Sequence, residues 1–385
     1  MKILYFQAHP VYGATENYVY TLAQRLNKAD FQVGILYPDV PALQAFSKLE
    51  NIQLLAVKSK YFAGNLIRYA YSIAKEIRKF DPDIIHINDP SPLGVIAARL
   101  AGVKKVVITH HTPELKTQYN WKGNLAKTLT FKLADYFIFT SEYDQEIGSK
   151  LDNIPAYKSK VIAYGLDMNK FSQTQVQRDT IRGDIREKLQ IPQKNIVIGS
   201  AGRLEAQKAQ LDLIKAANII CFKYDHVTFV LVGEGSLRTQ LATQINNLGL
   251  SSKFLLPGFV NNIEEFLCAV DIFTMSSLFE GLCYAVVEAA AMSVPVVATA
   301  VGGMRYSVAD NETGFLIEPR SPEKLAEKIN FLIDNPDIAQ QMGEKGRKRF
   351  MKLFTVERMI SQTEAIYYQL LENNIEKFVK LGINV

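Results

Sequence analysis

Short runs of β-branched and aromatic residues recur along this chain, most of them separated by segments of helical period. KILYFQ (Lys2–Gln7), FQVGILY, IQLLAV, DIIHI, KVVITH, YFIFT and KVIAYG read as strands in the first half. NIVIGSA, TFVLVG, KFLLPGFV, DIFTM and VPVVATA do so in the second. The first intervening helix is expected from about Thr15 to Leu26, where Tyr18, Leu22 and Leu26 recur at i, i+4 and i+8. Parallel strands need a crossover, and helices supply it, so this alternation predicts doubly wound parallel α/β sheets. A chain of 385 residues suffices for about two such domains. The polar stretch SQTQVQRDTIRGD follows KVIAYGLDMNKF, and the domain boundary is placed there, with residues 1–167 in the first domain and 168–360 in the second. From Ser321 onward the chain reads as helical.

Ligands of open parallel sheets bind beyond the carboxyl ends of the strands. Four such ends carry candidate residues. The loop AHPVYGA after the first strand contains Gly13. KVVITH runs into His110-His111-Thr112-Pro113. NIVIGSA runs into Gly202-Arg203-Leu204-Glu205-Ala206-Gln207-Lys208, and two cations there suit a diphosphate. TFVLV ends at Gly233, in a turn placed near a nucleotide. Asp81-Pro82-Asp83 lies at the amino end of its strand, away from that edge, and reads as a turn; His86 reads as sheet core.

The stretch Ser276–Gly303, SSLFEGLCYAVVEAAAMSVPVVATAVGG, constrains function most. Between Glu280 and Arg305 its one charged residue is Glu288, set among Ala285, Val286, Val287, Ala289, Ala290 and Ala291. Small apolar helix formers predict a helix packed on most sides, in which a carboxylate needs partners. The helix is expected to begin near Gly281, leaving the backbone N–H groups of Leu282, Cys283 and Tyr284 free for an anion or polar ligand. After Pro295 comes a buried strand, and Gly302-Gly303 opens the next loop.

S-x-x-E-G, a second Glu after seven residues, then P-V-V-A-T and G-G together resemble the signature of retaining GT-B glycosyltransferases of family 4. The resemblance covers nearly the whole chain and is stronger in the second half. It implies two Rossmann-like domains facing a central cleft, with the last segment, 361–385, crossing back to the first domain. It implies that Glu280 lies against the donor sugar and phosphates, with Gly281, Leu282, Cys283 and Tyr284 beside it, and that Glu288 binds the ribose. The pattern G-R-L, three residues, K-G is matched by Gly202, Arg203 and Lys208, which would hold the diphosphate, while Ala209 replaces its last Gly. Gly-Gly-x-Glu is matched by Gly13 and Glu16, with Ala14 in the second position. Thr-x-His is matched with His111 in the key position, or His110 by a shift of one residue. Asn-Gly-x-Asp is met by Tyr164-Gly165-Leu166-Asp167, without the Asn.

The implied reaction moves a sugar from a nucleotide diphosphate donor, UDP-sugar favoured over GDP-sugar, to a glycan, lipid-linked or small-molecule acceptor. The rivals are a GT-B nucleotide-sugar epimerase and a noncatalytic sugar-nucleotide-binding protein of polysaccharide assembly. No cofactor and no metal site is expected, since the histidines are dispersed and no acidic metal motif is evident. Cys221, Cys268 and Cys283 are scattered, which argues against a disulfide framework and for a reducing cytoplasm. The net charge of +5 suits a phosphorylated ligand or an anionic membrane surface and is too diffuse for nucleic acid. The basic, aromatic segment Lys58–Lys79 could meet such a surface at the inner face of the membrane, although its plainer reading is a loop and a core-packed helix.

Overall fold

Strand β1 (Lys2–Gln7) is paired in parallel on both sides, Ile3 standing opposite Val33 of β2 (Gln32–Pro38) and Ile84 of β4 (Ile84–Asn88). A strand so enclosed must be apolar on both faces, and Ile3, Leu4, Tyr5 and Phe6 are all buried. A computed structural model describes residues 1–7, 14–38, 46–57, 66–111 and 121–371. The remaining first-half strands are β3 (Ile52–Val57), β5 (Lys105–His110), β6 (Tyr136–Phe139) and β7 (Ser159–Val161). Among the described residues the first sheet has the order β3-β2-β1-β4-β5-β6-β7. The expected stripe Tyr18, Leu22 and Leu26 is buried, on and just past the helix Ala14–Arg25.

The second sheet has the order β10-β9-β8-β11-β12-β13. Its strands are β8 (Ile196–Ala201), β9 (Val227–Val232), β10 (Phe254–Gly258), β11 (Ile272–Met275), β12 (Val296–Thr299) and β13 (Gly314–Ile317). The last of these, GFLI, went unread in the sequence because four residues carry too little periodicity. Its core gathers Ile198, Leu213, Ile214, Phe229, Leu325 and Ile329. Among the described residues, those of Met1–Gly165 and Val356–Leu371 form one compact unit, and Leu166–Thr355 forms the other. Leu166 N–H donates to Phe354 O at 2.9 Å, and Leu166 bridges Thr355, so the outgoing and returning strands of chain run side by side there. The returning helix, Val356–Leu371, therefore starts earlier than residue 361.

The units divide between Gly165 and Leu166, and most of the polar stretch SQTQVQRDTIRGD lies in a helix of the second unit, Gln175–Lys188. Thr174 caps it, its side chain accepting from Gln177 N while Gln177 returns a bond to the Thr174 backbone. Arg186 is fully buried and holds Asp271 at 2.8 Å together with three backbone carbonyls, those of Gln193, Asn195 and Ala269. Arg182 reaches the same carboxylate at 2.5 Å. Asp271 in turn accepts from Val197 N at 2.7 Å, pinning β11 to β8. Asp83 does the equivalent in the first unit, accepting from Lys2 N at 2.8 Å at the amino ends of β1 and β4. That position, with Asp81 at φ 54°, matches the turn read there. KVIAYG is a shorter strand than expected, ending at Val161, with one further bond to β6 from Ile162 N–H to Phe139 O at 2.8 Å.

Candidate active site

In the second sheet β8 and β11 are neighbours, yet the chain leaves β8 for β9 on one side and β11 for β12 on the other. Such a switch point opens a crevice at the carboxyl ends of the two strands. The loops that follow β8 and β11 are zipped together there. Leu278 N–H donates to Gln207 O at 2.8 Å, Gln207 Nε2 donates to Phe279 O at 2.9 Å, and Ser276 Oγ donates to Lys208 O at 2.9 Å. At the end of this zip the Lys208 ammonium donates to Glu280 Oε1 at 2.5 Å, and the same oxygen accepts from Ser277 Oγ at 2.6 Å. The two charged side chains are 13% and 8% exposed, so the pair is largely withdrawn from water. Arg203 lies on the same loop as Lys208 and is exposed; its guanidinium makes no hydrogen bond or ion pair among the described residues.

The expected helix start is corrected. The helix runs Tyr284–Ala291 with Cys283 as its cap, so Gly281 and Leu282 belong to the turn before it. The carbonyl of Glu280, just before them, is already committed. Gly303 N–H donates to Glu280 O at 3.3 Å, and a Cβ on Gly302, at φ +49°, would lie 1.7 Å from that oxygen. The pair Gly302-Gly303 thus exists to let two loops touch, and only glycine fits there. Gly233, at φ +138°, does the same against Gly202, whose carbonyl oxygen would meet its Cβ at 1.9 Å. Cys283 is buried, and burial, reinforced by Glu280, pushes its thiol up to about 12. It is an inert packing group here.

Ala209 sits in the left-handed region, at φ 45° and ψ 41°, where the chain turns into the helix Gln210–Lys223. The resembled pattern has Gly at this place, and its reason is now visible. A Cβ in this conformation costs about 1–2 kcal/mol, partly offset by the lower chain entropy of Ala when unfolded. Ala209→Gly should raise the melting temperature by roughly 1–3 °C. A lower melting temperature by calorimetry would show that the surroundings relieve the strain.

Glu288 is half-buried on the helix Tyr284–Ala291, and its carboxylate makes no hydrogen bond or ion pair among the described residues. Burial, then the Glu264 carboxylate, raises its pKa to about 7, with Lys170 opposing. A carboxyl raised above its unfolded value holds its proton more tightly when folded. Stability is therefore lost as pH rises from the ordinary carboxyl range through about 7. Tyr306, where the resembled pattern has Glu, packs edge-on against Phe354.

His111 directly follows β5 and is buried. Its Nδ1 and Tyr164 Oη are 2.5 Å apart, its ring lies nearly parallel to that of Tyr164 at 5.4 Å, and Tyr18 meets it edge-on at 5.2 Å. Burial lowers its pKa to about 3, so it is neutral in ordinary buffers. Its Nε2 has no partner among the described residues. His110 faces the other way, stacked with Phe131 and Phe139 at 6.2 and 5.6 Å. His86 is core, bonded through Nδ1 to Tyr367 and through Nε2 to Thr109, each at 2.6 Å. Gly13 lies outside the described residues, as does Lys58–Asn65 of the basic, aromatic segment.

Gly202, Arg203, Lys208, Gly233, Glu280, Gly281, Leu282, Cys283, Tyr284 and Glu288 thus belong to the second unit, and His111 to the first. The sequence did not assign roles to Ser277, Gln207 or Tyr164. For Ser277 the signal was present, as the first residue of S-x-x-E; for the other two it lay only in the partner each meets.

Residues 181–349 match the family model for glycosyl transferases group 1, and residues 15–170 match that for glycosyltransferase family 4. The chain is 30% identical over 318 residues to the UDP-Gal:alpha-D-GlcNAc-diphosphoundecaprenol alpha-1,3-galactosyltransferase of Escherichia coli, covering 78% of this chain and 79% of that one. The chain belongs to the group 1, family 4 glycosyltransferases. It is 24% identical over 324 residues to a Campylobacter jejuni N-acetylgalactosaminyltransferase acting on N-acetylgalactosamine-N,N'-diacetylbacillosaminyl-diphospho-undecaprenol, covering 83% of this chain and 81% of that one. HepE of Anabaena, solved in complex with UDP, superposes with a TM-score of 0.84 at 22% identity, over 96% of this chain and 100% of that one. The fold is GT-B, and the family is one of sugar-transferring enzymes.

Proposed function

We propose that the protein transfers a hexose from a UDP-sugar, with retention at the anomeric carbon, to a lipid-linked glycan acceptor in polysaccharide assembly. The observation that carries this is the Lys208–Glu280–Ser277 cluster at the switch point, with Arg203, unpaired among the described residues, on the same loop. Two cations beside a crevice suit a diphosphate whose charge grows as the sugar leaves. The leaving diphosphate would take the acceptor's proton on the same face, so no carboxylate nucleophile is needed. Glu280 would meet the sugar, Glu288 the ribose hydroxyls, His111 a further sugar hydroxyl, and the glycine turns at Gly202 and Gly233 the close passage of the nucleotide. UDP is supported by the UDP-Gal donor of the Escherichia coli relative and the UDP complex of HepE, and a diphosphoundecaprenol-linked glycan by the acceptors of the Escherichia coli and Campylobacter jejuni relatives.

A lipid-linked acceptor also suits the helix Leu66–Phe80, which exposes Leu66, Ile67 and Tyr71 among Arg68, Lys75 and Lys79. We place the protein on the inner face of a membrane by that surface alone; no helix among the described residues is long and apolar enough to cross one. No cofactor or metal is assigned a role: Arg203 and Lys208 take the place of a divalent ion. UDP release from UDP-glucose, UDP-galactose and UDP-N-acetylglucosamine, with and without a diphosphoundecaprenol-linked glycan, tests the whole reading. Acceptor-dependent release unaffected by EDTA is the expected result. Loss with EDTA and recovery with Mg²⁺ would overturn the metal-free route.

Glu288→Gln tests the nucleotide assignment. Ribose hydroxyls donate to a carboxylate, so binding favours its ionised form, and each such bond contributes about 1.5–3 kcal/mol. UDP affinity should fall by about tenfold or more. In the wild type affinity should rise with pH through about 7, and this rise should be blunted in Glu288→Gln. Unchanged affinity by calorimetry would remove Glu288 from the ribose site.

A further inference from the structure

His111 has two ring nitrogens, and the fold treats them differently. Nδ1 is 2.5 Å from Tyr164 Oη, while Nε2 is buried and without a partner among the described residues. The ring itself cannot easily turn. Tyr164 lies along one side with planes 22° apart, and Tyr18 closes another at 79°. The His111 backbone N–H donates to Asp89 Oδ1 at 3.3 Å. Tyr18 is anchored in its turn: its hydroxyl is 3.3 Å from Thr109 Oγ1, which is 2.6 Å from His86 Nε2, and His86 Nδ1 is 2.6 Å from Tyr367 Oη. This buried chain ends at Tyr5, 3.0 Å from Tyr367. Tyr164 stands where the resembled Asn-Gly-x-Asp pattern has Asn, so its contact is a property of this chain's own sequence.

A neutral imidazole carries one N–H, and the bond made by one nitrogen decides the state of the other. A phenol is a better donor than acceptor, and an unprotonated imidazole nitrogen is a good acceptor. We propose that Tyr164 is a positioning residue for sugar transfer: its hydroxyl donates to Nδ1 of His111 and so presents Nε2 as an N–H donor to an oxygen of the donor sugar. This rests on the reading of His111 as a sugar contact. It adds which atom makes that contact and which residue sets it.

The test uses the full-length protein labelled with [15N]histidine, the His111 signals being assigned by their loss in His111→Ala. Long-range 1H–15N spectra of the wild type should show His111 as the Nε2–H tautomer. In Tyr164→Phe, which keeps the ring and loses the hydroxyl, the two tautomers should mix. Turnover, read as UDP release from whichever of UDP-glucose, UDP-galactose or UDP-N-acetylglucosamine serves the wild type, should fall about tenfold, the scale of one hydrogen bond. UDP affinity should not change, since a packing defect alone would not alter the tautomer and spare the nucleotide. An Nδ1–H tautomer in the wild type overturns the proposal without any variant. So does Tyr164→Phe with either an unchanged tautomer or turnover within twofold of the wild type. If His111→Ala itself stays active, the sugar-contact reading fails as well; if it is inactive while Tyr164→Phe is normal, only the role of Tyr164 falls.

Discussion

Arg203→Ala is expected to cut turnover by about 10²-fold and to leave the melting temperature unchanged. The first half follows from removing a donor aimed at charge that grows in the transition state. The second follows from the exposed guanidinium, which bonds to no other group among the described residues. Lys208→Ala should lose a similar factor in turnover for the same reason, and it should also unfold more readily. Its ammonium is the ion-pair partner of Glu280, whose side chain is only 8% exposed. Stripping one member from a buried pair leaves the other uncompensated, at a cost of roughly 3–5 kcal/mol. Ser277 alone cannot offset that with one hydroxyl. The double variant Lys208→Ala/Glu280→Gln should recover most of the stability and none of the turnover. Measured together, turnover and melting temperature separate the two jobs of Lys208. Turnover within threefold of the wild type for both Arg203→Ala and Lys208→Ala would move the diphosphate elsewhere.

His111→Ala is expected to lose about 10²-fold in turnover while UDP affinity stays nearly the same. A misplaced reacting carbon is costly in rate, and the nucleotide contacts proposed here all lie in the second unit. The loss should be equal at about pH 6 and about pH 8, because burial keeps the ring neutral above about 3. His110→Ala is the control. Its ring packs between Phe131 and Phe139 and is 1% exposed, so truncation opens a cavity. That should lower stability by roughly 2–4 kcal/mol with turnover retained in the folded fraction. An inactive, well-folded His110→Ala would shift the reading by one residue, and two active variants would end it.

Much of this was legible in the chain itself. The alternation of apolar runs and helical periods determined parallel α/β sheets, since side-chain period is a local property that neighbours along the chain cannot disguise. KVVITH placed His111 at a strand end, and adjacent strand residues point to opposite faces, which already separated it from His110. The spacing of Glu280 and Glu288 set one in a turn and one on the following helix. What the tertiary structure alone decided is which groups meet. The helix after Glu280 starts at Tyr284 because Gly302 and Gly303 hold the turn from the far side of a strand. Lys208 meets Glu280 because β8 and β11 are neighbours, a pairing of strands far apart in sequence. Tyr164 meets His111 because the chain leaving β7 comes back past β6 to the end of β5. The polar stretch with Arg182, and Arg186 just past it, reads as solvated chain at a domain boundary until Asp271 is brought beside them, for a buried charge looks like a solvated one until its partner is known.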